Sequence, residues 1–110
     1  MKIEVGSRVR VKTLEELYKL KGGFADFTLD EAKYVYNMGV IPDRIYYLLE
    51  DPPIFTDEMI FTCGKYGEVK KIKTKTRILV HFMHLGSWWE YDISWLEVFS
   101  TDKNGNYLLF

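Results

Sequence analysis

The chain has 110 residues, of which 47% are hydrophobic and 16% aromatic, and a formal net charge of −1. That length supports one domain around one core, and that composition excludes disorder over most of the chain. The near-neutral total excludes a bulk polyelectrolyte, no apolar run is long enough to span a bilayer, and a single cysteine, Cys63, excludes an internal disulfide.

Residues 5–12 alternate, with Val9 and Val11 on one side and Arg8, Arg10 and Lys12 on the other, which predicts a half-buried strand. The period then changes. Leu14, Leu17, Tyr18 and Lys21 follow helical spacing, Thr13 and Glu16 form a capping box, and Gly22-Gly23 ends the helix. A second helix is predicted over 28–38, with Thr28 and Glu31 as its capping box. Leu29, Ala32, Val35 and Tyr36 are its apolar stripe and Gly39 its stop. Ile45, Leu48 and Leu49 fall on one side of a third short helix over 43–50, which Pro52-Pro53 terminates in an extended connection. Residues 56–59 predict a single turn capped by Thr56.

The pattern from residue 59 onward is short apolar strands cut by glycine and turn residues, the signature of a small antiparallel barrel. Strands are predicted over 68–73, 77–83, 88–91 and 96–100, with hairpin tips at 74–76 and 85–87 and a one-turn link over 92–95. Asn104-Gly105 is a turn signal, and residues 107–110 return as a small extra strand.

Charge is distributed unevenly. Residues 26–58 carry eight acidic and two basic side chains, a net of −6; residues 65–77 carry six basic and one acidic, a net of +5. An acidic lobe and a basic edge are expected on the folded chain.

Val5-Gly6-x-Arg8-Val9-x-Val11, Met59, Gly64-Lys65-x-Gly67-x-Val69, Val80-x-Phe82, Trp89 and Trp95-Leu96 together resemble an SH3-like barrel. The style is that of the Mind-bomb and HERC-type barrel repeat and of KOW-type barrels, and small uncharacterised bacteriophage proteins look similar. The resemblance covers residues 5–12 and 59–99. It implies an α+β chain, namely an SH3-like antiparallel β-barrel (1–12 and 59–110) carrying a helical insertion (13–58) between its first and second barrel strands. The long separation between first strand and Gly-Lys-x-Gly turn departs from the family, so the insertion either covers or forms the binding groove.

Small barrels of this kind bind far more often than they catalyse, and the expected function is a non-enzymatic protein-binding module. The phage resemblance adds an accessory protein or inhibitor acting on a host protein. Trp88, Tyr66 and Tyr91 are the expected aromatic groove. Tyr46, Tyr47, Glu50 and Asp51 on the acidic insertion are the expected second part of the protein contact. The alternative is a KOW-like nucleic-acid binder in which Lys65, Lys70, Lys71, Lys73, Lys75 and Arg77 follow a phosphate backbone; the same lysines serve equally as a solvated edge that discourages aggregation. A third reading is a subunit that associates through the strand edge at 107–110.

Cys63, His81 and His84 are too few and wrongly spaced for a structural zinc site, and Gly64-Lys65-Tyr66-Gly67 lacks the rest of a phosphate loop. No catalytic residue, metal or cofactor is therefore expected. The opening residues lack an apolar signal core, and with one cysteine the chain reads as cytoplasmic.

Overall fold

The structure, a computed structural model, describes residues 3–40, 43, 46–83, 85–101 and 107–109. Among these residues, eight strands and two α-helices follow in the order β1 (Arg8–Val11), α1 (Leu14–Lys21), α2 (Leu29–Met38), β2 (Tyr47–Leu49), β3 (Phe55–Thr56), β4 (Tyr66–Ile72), β5 (Arg77–Phe82), β6 (Ser87–Asp92), β7 (Leu96–Thr101) and β8 (Tyr107–Leu109). Two 3-10 segments, Asp57–Thr62 and Ile93–Trp95, lie between β3 and β4 and between β6 and β7.

The helices start and stop where their side chains dictate. Thr13 accepts the Glu16 backbone N–H at 3.2 Å while the Glu16 carboxylate accepts the Thr13 N–H at 3.3 Å. Thr28 and Glu31 repeat the exchange at 3.1 Å in both directions. Each helix ends on a glycine in the left-handed region, Gly22 at φ 71° and Gly39 at φ 67°. An ion pair from Glu15 to Lys33 ties α1 to α2.

Six strands form one antiparallel sheet in the order β6-β5-β4-β1-β7-β8. The first strand lies at its centre, with Val9 opposite Gly67 on one side and Val98 on the other. The front of β4 pairs with β1 and its rear with β5, and the register slips between Val69 and Lys71. A bulge of this kind bends the strand and strengthens its twist, so the sheet curls. It does not close: β6 and β8 are its outer strands, and no ladder joins them among the described residues. The expected closed barrel is thus corrected to an open, curled sheet. Asp92 caps the 3-10 turn that carries the chain from β6 to β7 by accepting the Ser94 N–H at 2.9 Å.

Residues 47–49 correct the sequence reading as well. They form strand β2 of a two-stranded ribbon with β3, not the end of a helix; the rest of the expected helix, apart from Asp43, Tyr46 and Glu50, lies outside the described residues, as do the Asn104-Gly105 turn and His84. The expected single turn at 56–59 extends instead through Asp57–Thr62.

The insertion is built into the core. Leu14, Leu17, Phe27, Ala32, Val35, Leu48 and Phe55 are buried together with Val9, Val11, Val69, Ile78, Val80, Phe82, Tyr91, Trp95, Leu96 and Val98 of the sheet side. Phe55, fully buried, places its ring edge-on to Trp95 at 5.3 Å and to Tyr91 at 6.1 Å. The ribbon and helices therefore cover the concave face of the sheet, and the opposite face looks outward.

Gly67 is where the sheet packs most tightly. A Cβ at this position would lie 2.6 Å from Val80 Cγ1, 2.9 Å from Phe82 Cε1 and 3.0 Å from the His81 carbonyl oxygen. Gly67→Ala is expected to lower unfolding stability by about 1–3 kcal/mol through overpacking, read as a shift in the urea midpoint; an unchanged midpoint would show that β4 and β5 do not approach as described.

Candidate interaction face

Alternation sets which side chains leave the sheet. On β4, Gly67 and Val69 point inward while Tyr66 and Glu68 point out; on β5, Ile78, Val80 and Phe82 are buried while Leu79 and His81 lie on the other face. The registers place Arg8 opposite Glu68, Glu68 opposite His81, and His81 opposite Trp88. Four side chains from four successive strands thus form one row, about 14 Å long at the usual spacing between strands. The His81 and Trp88 rings meet edge-on at 5.2 Å.

Beside this row runs a groove of about 840 Å³ lined by Arg8, Lys65, Tyr66, Glu68, Lys70, His81 and Met83. Its apolar members are well exposed: Met83 at 86%, Trp88 on its flank at 54% and Tyr66 at 48%. Towards β7 the face is held by Arg10, whose guanidinium donates to both carboxylate oxygens of Glu97 at 2.6 and 3.0 Å and reaches Glu16 at 3.5 Å. The Glu97 hydrogen bond raises the already high Arg10 pKa, so this side chain is a fixed cation with its charge already matched. Lys70 pairs with Glu68 at 3.5 Å in the open, an arrangement worth at most about 1 kcal/mol.

Of the predicted aromatic groove, the structure brings Tyr66 and Trp88 to one face and removes Tyr91. Tyr91 is fully buried. Its hydroxyl lies 2.6 Å from Thr62 Oγ1, which itself donates to the Met59 carbonyl at 2.7 Å. A hydroxyl has one proton, so Tyr91 is the donor to Thr62. Burial pushes the Tyr91 phenol well above its ordinary range. Tyr91 is corrected from contact residue to core residue, because it stands three positions from Trp88 and strand alternation puts the two on opposite faces.

The insertion residues stand apart from this groove. Tyr46 packs edge-on against Phe27 at 5.1 Å, and its backbone N–H donates to Asp57 at 3.3 Å. The Tyr47 N–H donates to Asp26 at 2.9 Å. Both side chains are half-buried, and Glu50 and Asp51 are exposed at the ribbon tip. Tyr46 also borders a second hollow of about 440 Å³ with Asp26, Phe27, Asp30, Glu31 and Tyr34; there the Asp26 and Glu31 carboxylates already accept backbone N–H groups.

The six basic candidates divide along β4 and β5. Lys65 and Lys70 line the groove, Lys65 also lying 5.8 Å from the Tyr36 ring centre. Lys73 pairs with Glu90 at 2.9 Å, Arg77 stands opposite Asp92, and Lys71 and Lys75 are exposed towards the hairpin tip. Sequence reasoning missed Arg8, Glu68 and Met83 as groove residues, and weighed His81 only as a metal ligand. Alternation marks the outward face of their strands, but only the register shows that they meet.

Cys63 lies in the core and His81 on the outer face. Among the described residues no group of three or more His, Cys, Asp or Glu side chains could hold a metal ion, and no helix is long and apolar enough to cross a membrane. Comparison with protein-family models, curated proteins and solved structures finds no match, so the reading of this face rests on its own chemistry.

Burial pushes the Cys63 thiol far up from its ordinary value, and only the thiolate is a good nucleophile. The native chain is therefore expected to react with a disulfide reagent at mildly alkaline pH at least about a hundredfold more slowly than the urea-unfolded chain, since reaction must await opening. Equal rates would contradict the placement of Cys63. The same shifts carry a pH consequence. Cys63 and Tyr91 hold their protons more tightly folded than unfolded, so the stability they contribute is complete below their ordinary values and is lost as pH rises from roughly 8.5 upward. Urea midpoints should fall over that range, and less steeply in Tyr91→Phe; a midpoint independent of pH would contradict the burial of both groups.

Proposed function

We propose that the chain is a non-enzymatic binding module that takes a protein partner on the outer face of β1, β4, β5 and β6. The observation that carries this reading is the exposed cluster of Tyr66, Met83 and Trp88 around His81, on a sheet whose other face is fully occupied by the core. Aromatic and methionine side chains are enriched at protein interfaces and dominate their energetics.

On this reading the fold is SH3-like. Support comes from β1 lying between β4 and β7, with a single 3-10 turn carrying the chain from β6 to β7. The helical insertion then occupies the connection after the first strand. Among the described residues, none of the insertion is among those that line the groove. The further step, that the partner is a host protein engaged by an accessory or inhibitory protein of a phage or mobile element, rests on the sequence resemblance alone.

The second reading is a KOW-like nucleic-acid binder. It draws on the exposed Lys71 and Lys75 with Arg77 at the hairpin tip. Against it stand the pairing of Lys70 and Lys73 with the chain's own glutamates and the absence of any excess positive charge overall.

Affinity capture from the native cells, with the intact chain and its Trp88→Ala, Tyr66→Ala, Tyr47→Ala and Lys71→Glu/Lys73→Glu variants as baits, separates these readings. The expected result is a protein retained by the wild type and lost about thirtyfold or more on Trp88→Ala, the effect of removing a hot-spot side chain of about 2 kcal/mol. The thermal midpoint should be unchanged because Trp88 is exposed. Retention should survive nuclease and the Lys71→Glu/Lys73→Glu changes. Loss on nuclease treatment, or retention that tracks Tyr47 and ignores Trp88, overturns the assignment of this face.

A further inference from the structure

Strand β6 ends the sheet, and the phase of its hydrogen bonding is fixed at both of its ends. The Ile93 N–H donates to the Thr76 carbonyl at 2.8 Å, and the Phe82 carbonyl accepts from the Gly86 N–H at 2.9 Å. The register between these points is unbroken, so Ser87, Trp89 and Tyr91 exchange backbone bonds with Phe82, Val80 and Ile78. The N–H and C=O groups of Trp88 and Glu90 therefore point away from β5, and among the described residues no strand pairs on that side. Sheet edges are normally blunted by lysine, proline, a bulge or short length. β6 has six residues in continuous register with neither lysine nor proline, and its central charge, Glu90, is matched by Lys73 at 2.9 Å. Trp89 adds a second observation. It shares the core side with Tyr91 and packs against Phe82 at 5.9 Å, yet on this last strand it stays only half-buried.

We propose that this edge is covered by β6 of a second copy, antiparallel about a twofold axis at Trp89. An added strand must pair its own outward groups with those of Trp88 and Glu90, which leaves few registers. Setting Glu90 against Glu90 or Asp92 of the second copy puts like charges opposite one another. Setting Trp88 against Trp88 brings Glu90 opposite Gly86, whose left-handed turn at φ 64° ends the strand. In the remaining register Trp88 lies opposite Glu90 and Trp89 opposite Trp89, and residues 87–91 of both copies pair throughout. The two half-open Trp89 rings then cover one another on the core side, which makes the contact self-complementary. The outer faces run on side by side across the junction, so Trp88 stays open to a further partner.

A five-residue pairing is a small interface, so the expected dissociation constant is about 10–100 µM, and sedimentation velocity of the intact chain across that range should show monomer passing to dimer. Glu90→Pro removes an N–H that β5 does not use. It should keep the circular dichroism of the wild type and weaken the dimer at least about tenfold, while Glu90→Gln should still dimerise. Cysteine variants read the register separately. Opposed residues of a non-hydrogen-bonded pair stand about 4.5 Å apart at Cα, within disulfide reach, whereas two Glu90→Cys sites are offset along the strands beyond it. Oxidised glutathione should therefore cross-link Trp89→Cys and leave Glu90→Cys and the wild type, whose Cys63 is buried, as single chains. A chain monomeric throughout the range, a folded Glu90→Pro that dimerises as the wild type does, or a Trp89→Cys that fails to cross-link overturns the proposal. Cross-linking of Glu90→Cys in its place overturns it too. Should Glu90→Pro not fold, the cysteine pair decides alone.

Discussion

The fold and its outer surface both depend on which way strand β6 faces, and one buried contact decides it. Side chains on a strand alternate, so a slip of one residue exchanges the faces of the whole strand. In β6 Trp89 and Tyr91 share one side, and Trp88 shares the other with Glu90, which pairs with Lys73. The charge favours that side outward, and the Tyr91 hydroxyl holds the other side in. Inside, it donates to Thr62, whose own proton is taken by the Met59 carbonyl. Turned out, it would leave Thr62 Oγ1 buried without that donor, a loss on the order of 1–3 kcal/mol. The Phe55 and Trp95 edges close around the same ring. Once Tyr91 is fixed inward, Trp88 must be outward, and it meets His81 on the next strand.

The insertion makes that choice possible. A sheet of short strands cannot bury both faces within a chain of this length, and here α1, α2 and the β2–β3 ribbon supply the cover for one of them. Phe55 and Leu48 reach into the space beneath the sheet, and Thr62, at the end of the 3-10 segment that follows, presents the acceptor for Tyr91. The remaining face is left to solvent, rimmed on one side by the Arg10–Glu97 pair. Its exposed apolar groups are a consequence of cover being spent on the other side. Their grouping with Arg8, Lys65 and Lys70 gives the surface a chemical character rather than mere exposure.

Much of this was legible in the residues. The two capping boxes, Thr13/Glu16 and Thr28/Glu31, and the glycines that stop their helices act within a few residues and need no tertiary context. The same holds for the alternation of β1, β4 and β5 and for the one-turn link over 92–95. Residues 47–49 were not legible as a strand, because Leu48 and Leu49 suit a short helix as well as a strand. Only pairing with Phe55 and Thr56, across the Pro52-Pro53 turn, separates the two. Strand alternation puts Trp88 and Tyr91 on opposite faces, which is at odds with an expected groove that holds both; the contacts that bury Tyr91 come from Phe55 and Thr62, both distant in sequence. The groove was the least visible part. Arg8, Glu68 and His81 meet through two registers, one of them interrupted by the slip between Val69 and Lys71, and no local pattern carries that information.

Hydroxyl-radical footprinting of the free, folded chain addresses the orientation of β6 without needing a partner. Met83, Trp88 and Tyr66 should oxidise rapidly, while Tyr91 and Trp95 stay unlabelled until the chain is unfolded. Tyr91 labelled as fast as Trp88, or Trp88 protected in the free chain, would mean that β6 shows its other face and that the surface described here does not exist.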